Sequence, residues 1–442
     1  MRKSSLIGHV VESFDLIHSR NNPADETLRS FFRDRRYLGS NDRRFIAESI
    51  YGMIREERSL RYISEHALAS MPRLSEELPV PSILLYVVFA ARVLSQPPSE
   101  VLGDVQDLRE YGKQPALNKK EFLAAVTSVS SPLSAIEDPA TRLAIAYSMP
   151  DFAVSEWIER YGTEECGELC AALNNPAPSA IRANLLCGPV SACRSALAAE
   201  GISTVEGRIS PEALILPKRL SLQSLRSFRD GLFEMQDEGS QLISHLVSPL
   251  PGETVLDACA GGGGKSLHMA ALMENRGTIL ASDIDPRRLR QAGLRAGRAR
   301  VKIIKPLEAG PVKTPGGCDR VLVDAPCSGS GTWRRNPWAK RLTTSQLVAD
   351  YSARQRTILQ DHSNSVRDGG RLIYATCSLF TGENEDIVEW FLERNPDFRL
   401  VNATEILRLR GIDTTGIGEF LSLAPHRHGT DGFFAAVMER SR

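Results

Sequence analysis

Two cysteines stand where a rigid scaffold would deliver them to a ligand crevice. Cys327, in RVLVDAPCSGSG, and Cys377, in RLIYATCS, each follow a short apolar run that reads as a buried strand. A thiolate attacks carbon well near neutral pH, so a free thiol held at a strand end is a candidate nucleophile. If both strands share one sheet with a cofactor, the two thiols can face one substrate, one attacking and the other helping it leave. The residues alone leave open which does which.

A third chemical element is the loop Asp257-Ala-Cys-Ala-Gly-Gly-Gly-Gly-Lys-Ser266, which follows one predicted strand and opens a helix. Glycines at such a turn let a ligand approach the backbone amides closely. GGGGKS is not a phosphate loop of the Walker type, because the glycine required five positions before Gly264 is Cys259. The dinucleotide pattern fails too, since Ser266 and Leu267 occupy the positions for its third glycine. What remains is a glycine loop with an acid, Asp283, at the end of the next strand, suited to a ribose diol. S-adenosylmethionine, which has a ribose and no phosphate, fits that description. Asp283 has a structural reading as well, as a cap for the arginine-rich helix that follows.

The elements that position these groups are regular. After Gln236 short apolar runs alternate with helical or loop sequence: Thr254 to Asp257, Thr278 to Asp283, Val301 to Ile304, Arg320 to Asp324 and Arg371 to Thr376. That alternation predicts an α/β fold with a parallel, doubly wound sheet, whose ligands bind at the carboxyl ends of the strands. Residues 1 to about 140 have helical periodicity instead. In Ser40 to Arg55, residues Phe45, Ile46, Ser49, Ile50 and Ile54 share one face, with Ser40 or Asn41 as N-cap. MPRLSEELPVP and SQPPSE punctuate this all-helical domain. From about 145 to 235 lies a small α+β connector, in which the strand-like SAIRANLL and residues 212–217 flank the helical SACRSALAAEG. The α/β domain expected from the alternation is 236 to 442.

Composition narrows the class. The longest apolar stretch, Ile83 to Ala91, is far below the roughly 18 residues of a membrane span, and the start MRKSSLIGHVVESF lacks a signal-peptide core, so a cytoplasmic protein without membrane partners is expected. The eight cysteines form no CxxC pair or His-Cys cluster, which argues against a disulfide framework and a structural zinc site. Cys166 and Cys170 read as helix packing residues. Lysine plus arginine equal aspartate plus glutamate at 54 each, which excludes a uniformly basic nucleic-acid binder. Local patches survive: Arg287, Arg288, Arg290, Arg295, Arg298, Arg300, Lys302 and Lys305 run with no acid among them, and such a stripe can neutralise phosphates. The same stripe can equally be a solvated helix face. A second cluster, Arg33, Arg35, Arg36, Arg43 and Arg44, is diluted by Asp34 and Asp42.

One substrate needs thiols beside a methyl donor. C5 of cytosine is a poor nucleophile until a thiolate adds to C6, and the cysteine must later be eliminated. Here the chain resembles the RsmB/Nop2/Sun family of RNA 5-methylcytosine methyltransferases, through MQDEGSQL (Met235 to Leu242), DACAGGGGKS, SDID, DAPCSGSGTWRRNP, ATCSLFTGENED and HGTDGFF (His428 to Phe434). LRSFFRDRRYLGSNDRRFIAESIYGMIR resembles the NusB-like RNA-binding domain of the RsmB branch. SMPDFAVSEWIERYG and IRAN (Ile181 to Asn184) resemble that branch's connector.

The resemblance implies a class I, Rossmann-like methyltransferase domain acting as a monomer on RNA, ribosomal RNA by analogy with the branch. It implies that Cys377 is the C6 nucleophile, that Cys327 assists release and that Asp324 holds the base edge while facing the cofactor. It further implies that Cys259, Ala260, Gly261, Gly262, Gly263, Gly264, Lys265, Asp283 and Asp324 bind S-adenosylmethionine. DNA cytosine methyltransferases use the cysteine of a PC motif instead. Two departures stand out: Gly-Gly-Gly-Gly-Lys replaces the family's Ala-Pro-Gly-Gly-Lys, and VKIIKPLEAG lacks the acid that usually ends the third strand, with Glu308 as a substitute. A DNA cytosine methyltransferase and a catalytically idle RNA-binding assembly factor are the competing readings.

Overall fold

The computed structural model describes the chain except residues 21–22, 72–79, 106–118, 129–131, 219, 308–309, 311–315, 414 and 442. The segment 72–79 within MPRLSEELPVP and the proposed substitute Glu308 therefore lie outside the described residues. The chain forms two units, Met1–Asn174 with Asn336–Leu342, and Asn175–Arg335 with Thr343–Arg442.

The first unit is helical, with no strand among its described residues. Its helix Ser40–Arg55 buries Ile46, Ser49, Ile50, Met53 and Ile54, the face expected from the 3.6-residue period. The cap differs from expectation: Gly39 is the N-cap, and its N–H donates to the Asp42 carboxylate at 3.1 Å, so Ser40 and Asn41 already lie in the first turn. Cys166 and Cys170 are buried in the helix Thr163–Asn174, as packing residues should be. The segment Asn336–Leu342, which comes from the far end of the sequence, adds Trp338 to the core made by Phe14, Ile50 and Tyr86. Beside it the Lys340 ammonium donates to the carbonyls of Arg55 and Tyr147 and to Asn174 Oδ1. Burial lowers its pKa to about 7.

The second unit holds two sheets. The smaller consists of β1 (Ser179–Ala183), β2 (Val205–Glu206), β3 (Ala213–Leu216) and β4 (Phe233–Met235), antiparallel throughout in the order β2-β3-β1-β4. The larger contains β5 (Thr254–Asp257), β6 (Thr278–Ser282), β7 (Ile304–Leu307), β8 (Cys318–Asp324), β9 (Val366–Thr376), β10 (Phe398–Val401), β11 (Leu421–Leu423) and β12 (Phe433–Arg440). Its order is β10-β12-β9-β8-β5-β6-β7, with β11 paired to β12.

Strands β5 to β9 are parallel, as the sequence pattern predicts. Their side chains alternate between two buried layers. Val255, Ile279, Leu322 and Ile373 enter one, and Leu256, Leu280, Val321 and Leu372 the other. A sheet covered on both faces needs apolar residues at successive positions, which is why these strands read as unbroken apolar runs. Two expectations are corrected. The sheet is mixed rather than wholly parallel, because β12 inserts antiparallel between β9 and β10. The third parallel strand runs from Ile304 to Leu307 rather than Val301 to Ile304: Arg300 takes φ 60°, and the Val301 N–H closes back on the Ala296 carbonyl at 2.9 Å, so the first residues of that run leave the helix.

Candidate active site

The strand order reverses beside β5, with β6 and β7 to one side and β8 and β9 to the other. Ligands of open α/β sheets bind at the carboxyl ends of the strands at such a reversal. The glycine loop, Asp283, Asp324, Cys327 and Cys377 all leave the carboxyl ends of β5, β6, β8 and β9. Asp324 pairs in register with Ala375, and the Ala325 N–H donates to the Ala375 carbonyl at 2.8 Å. The two cysteines therefore emerge side by side, with Sγ atoms 3.4 Å apart.

At that distance the two sulfurs are within hydrogen-bonding range. The hydrogen bond to Cys377, with burial added, pushes the Cys327 thiol well above its ordinary pKa, so Cys327 keeps its proton and donates it toward the Cys377 sulfur. Cys259 is a different case. Burial and the carboxylates of Asp324, Asp257 and Asp283 push it up to about 12, which leaves it no role as a nucleophile.

The glycine loop is braced from two sides. Asp283, nearly buried, accepts the Gly261 N–H at 2.8 Å and the Asp285 N–H at 2.8 Å. Capping of the following helix falls to Asp285, which accepts from the Arg287 N–H at 2.9 Å, and Asp283 keeps two lone pairs for another donor. Gly261 and Gly263 have φ of 54° and 78°, and a Cβ on Gly263 would lie 2.8 Å from the Ala292 Cβ. Lys265 Nζ donates to Asp324 Oδ2 at 2.6 Å. Burial works against its charge, but Asp324 outweighs burial and holds the lysine pKa above normal.

Asp257 accepts from Ser266 Oγ at 2.5 Å through one oxygen, while its buried Oδ1 has no partner. Burial, with Asp324 and Asp283 adding to it, pushes its pKa up to about 7. Asp324 and Asp257 act on the Lys265 ammonium and Asp283 acts on Asp257, so a ligand carrying positive charge and hydroxyl donors suits this acidic cluster. S-adenosylmethionine, with its sulfonium, ammonium and ribose, has that chemistry.

A clamp that the motif reading passed over holds both cysteine loops. Glu383, fully buried, accepts from the Ser328 N–H at 2.9 Å, from the hydroxyls of Ser328 and Ser378, and from Gln355 Nε2 at 3.0 Å. Ser328 follows Cys327 and Ser378 follows Cys377, so one carboxylate ties together the residues next to each thiol. Glu383→Ala is expected to cost about 2–4 kcal/mol of stability, because the freed donors are buried, and to lower turnover at least tenfold. Denaturant unfolding and a turnover assay on the same preparations test this. The terminal motif adds a backbone stitch: the Gly331 N–H donates to the Cys377 carbonyl and the Gly432 N–H to the Gly331 carbonyl, each at 2.9 Å. A Cβ on Gly331 would lie 2.3 Å from the Gly432 carbonyl oxygen, and one on Gly432 2.7 Å from the Gly331 Cα.

Asp431, nearly buried, accepts from Arg334 Nε at 2.5 Å and pairs with Arg335, which also donates to Asp237 at 2.7 Å. These charges join three motifs, MQDEGSQL, DAPCSGSGTWRRNP and HGTDGFF, and leave the arginines bound to protein. The basic stripe needs a similar correction. Arg295 and Arg298 both bind the buried Glu234, and Arg295 also donates to the Gly262 carbonyl at 2.6 Å, so neither is a free phosphate contact. Their work is to anchor the helix Pro286–Arg298 against the glycine loop. Arg288, Arg290, Arg300, Lys302 and Lys305 are exposed.

The sheet order and the loops at its carboxyl edge define a class I methyltransferase. The family model for RsmB/F 16S rRNA methyltransferases matches residues 244–439, and that for the ferredoxin-like domain of RsmF/B-like methyltransferases matches residues 149–223. The chain is 34% identical to a probable ribosomal RNA small subunit methyltransferase B of Bacillus subtilis, over 69% of each protein. It is 30% identical to a protein of the same description from Synechocystis, over 91% of this chain and 92% of that one. Among solved structures, PH0851 aligns over 100% of this chain and 99% of its own, with TM-score 0.75 and 24% identity. NSun6 from Pyrococcus horikoshii, crystallised with SFG, aligns over 65% of this chain and 97% of its own, with TM-score 0.57 and 21% identity. The chain belongs to the RsmB/Nop2/Sun family of RNA methyltransferases, and its methyl donor is S-adenosylmethionine. Among the described residues no helix is long and apolar enough to cross a membrane.

Proposed function

We infer that the chain forms 5-methylcytosine in RNA, with small-subunit ribosomal RNA as substrate, through a covalent adduct between a cysteine and C6 of the target base. The observation that carries this reading is the pair of thiols 3.4 Å apart at the carboxyl ends of adjacent strands. S-adenosylmethionine, when bound, supplies the methyl group as an electrophile and departs as the neutral thioether. The chain's own residues do the rest. The Cys377 thiolate, stabilised by the proton on Cys327, adds to C6 and leaves C5 electron-rich. Asp324 accepts a hydrogen bond from the exocyclic amine and holds the ring edge, while the Lys265 ammonium, donating to its Oδ2 at 2.6 Å, fixes the carboxylate in place.

Once Cys377 is a thioether, the charge and the hydrogen bond that held the Cys327 proton are gone, which eases loss of that proton to solvent against the burial and the Glu383 charge that remain. Its thiolate then takes the C5 proton as the Cys377–C6 bond breaks. The roles of the loop 259–265 and Asp283 in holding the cofactor belong to this proposal, as does an RNA-binding role for the NusB-like helical unit. The RNA assignment rests on the relatives and on that helical unit. Ribosomal RNA from a strain lacking the protein should lose bisulfite protection at a single small-subunit cytosine that its parent protects. Purified protein should methylate RNA and not duplex DNA of the same sequence; equal turnover on DNA refutes the reading.

A further inference from the structure

Three buried side chains in the second unit have no part in the chemistry above. Glu212 sits in the turn entering β3, His245 in the helix Glu238–Val247 and His268 in the helix Gly264–Leu272 that begins with the cofactor loop. They are 5%, 4% and 1% exposed. One nitrogen or oxygen from each lies within 4.8 Å of the other two. His245 Nε2 is 2.8 Å and His268 Nε2 3.8 Å from the same oxygen, Glu212 Oε2, and the two rings meet edge to face at 5.0 Å.

Hydrogen bonding does not account for this arrangement. His268 has no partner at either nitrogen and His245 none at Nδ1, although buried polar atoms are normally paired because leaving one bare costs about 1–3 kcal/mol. The turn carrying Glu212 is fixed in advance, since Glu238 accepts the Ile209 and Ser210 N–H groups and Ser210 Oγ donates to Gln241 at 2.8 Å. Two imidazoles and one carboxylate, braced by such outer contacts, form a borderline-soft donor set; magnesium and calcium would need more oxygens.

We propose that Glu212 Oε2, His245 Nε2 and His268 Nε2 bind one divalent transition cation of the zinc class, which pins the turn before β3 to both helices and so steadies the start of the cofactor loop. The site was invisible to a reading based on cysteine spacing, because its donors come from three elements with no shared motif. The test uses the full chain, produced with zinc in the medium and dialysed against a weak chelator. Elemental analysis of the wild type should find about one zinc per chain, and cobalt substitution should give the visible bands of a four-coordinate site. Glu212→Gln, which keeps the shape and removes the charged ligand, should carry at least about tenfold less metal. Stripping the metal should lower the melting temperature of the wild type and leave that of Glu212→Gln unchanged. Because buried variants can misfold, the wild type decides by itself: a chain with less than about a tenth of an equivalent after growth in zinc overturns the proposal, as does equal metal in correctly folded Glu212→Gln.

Discussion

Replacing Cys327 by alanine is expected to turn the protein from a catalyst into a trap. With Cys377 intact the adduct still forms, but no neighbouring thiolate takes the C5 proton, so protein and RNA remain joined. The product should be a slow-migrating species in denaturing electrophoresis that requires both RNA and methyl donor. Cys377→Ala should form no such species and lose turnover by about four orders of magnitude, because addition cannot begin. The double variant should behave as Cys377→Ala does. Groups acting in one catalytic unit are not additive, so the adduct decides more sharply than the rate. If Cys377→Ala traps RNA and Cys327→Ala does not, the two roles are exchanged.

Asp324→Asn should have the second largest effect. The change replaces the charged acceptor proposed to hold the base edge with a neutral amide, whose oxygen accepts more weakly and whose NH2 cannot accept at all, and turnover should fall by about 10²–10³-fold. It also strands Lys265, whose side chain is 12% exposed and whose ammonium donates to Asp324 at 2.6 Å. Losing one partner of a largely buried pair costs about 2–3 kcal/mol when the other partner is partly wet, as Asp324 is. Lys265→Met added to Asp324→Asn should return most of that stability, since no charge is then left unpaired. It should not return turnover. Thermal melts and single-turnover rates on the two variants separate the structural role of the pair from its chemical role, and recovery of the rate in the double variant would remove Asp324 from the mechanism.

The parallel half of the large sheet was legible because strands buried on both faces have nowhere to place polar residues. Thr254–Asp257 and Arg371 to Thr376 stand out in the sequence for that reason, and the loops after them carry the candidate site. The antiparallel additions were not legible. FFAAVMER is as apolar as a buried helix, and only pairing with β9, Phe434 opposite Thr376, makes it a strand. The arginines of Pro286–Arg298 misled for a related reason. A cation run is read as a solvated or phosphate-binding face, yet Glu234, which pairs with two of them, lies 61 and 64 residues away in the chain. Glu383 was in view inside a quoted motif, but its clamp depends on the serines after two separate strands. Local spacing reveals strands, turns and thiols; it does not reveal which distant charge or hydroxyl completes them.

The apposed glycines limit how this sequence can diversify. Gly331 and Gly432 face each other with no room for a Cβ on either, so neither position can gain a side chain while the other waits. No single-residue path leads away from the pair, and widening the gap means moving the backbone that also carries the Cys377 carbonyl. The loop after Cys327 and the last strand of the domain are therefore tied into one unit, although Gly331 and Gly432 stand 101 positions apart in the sequence.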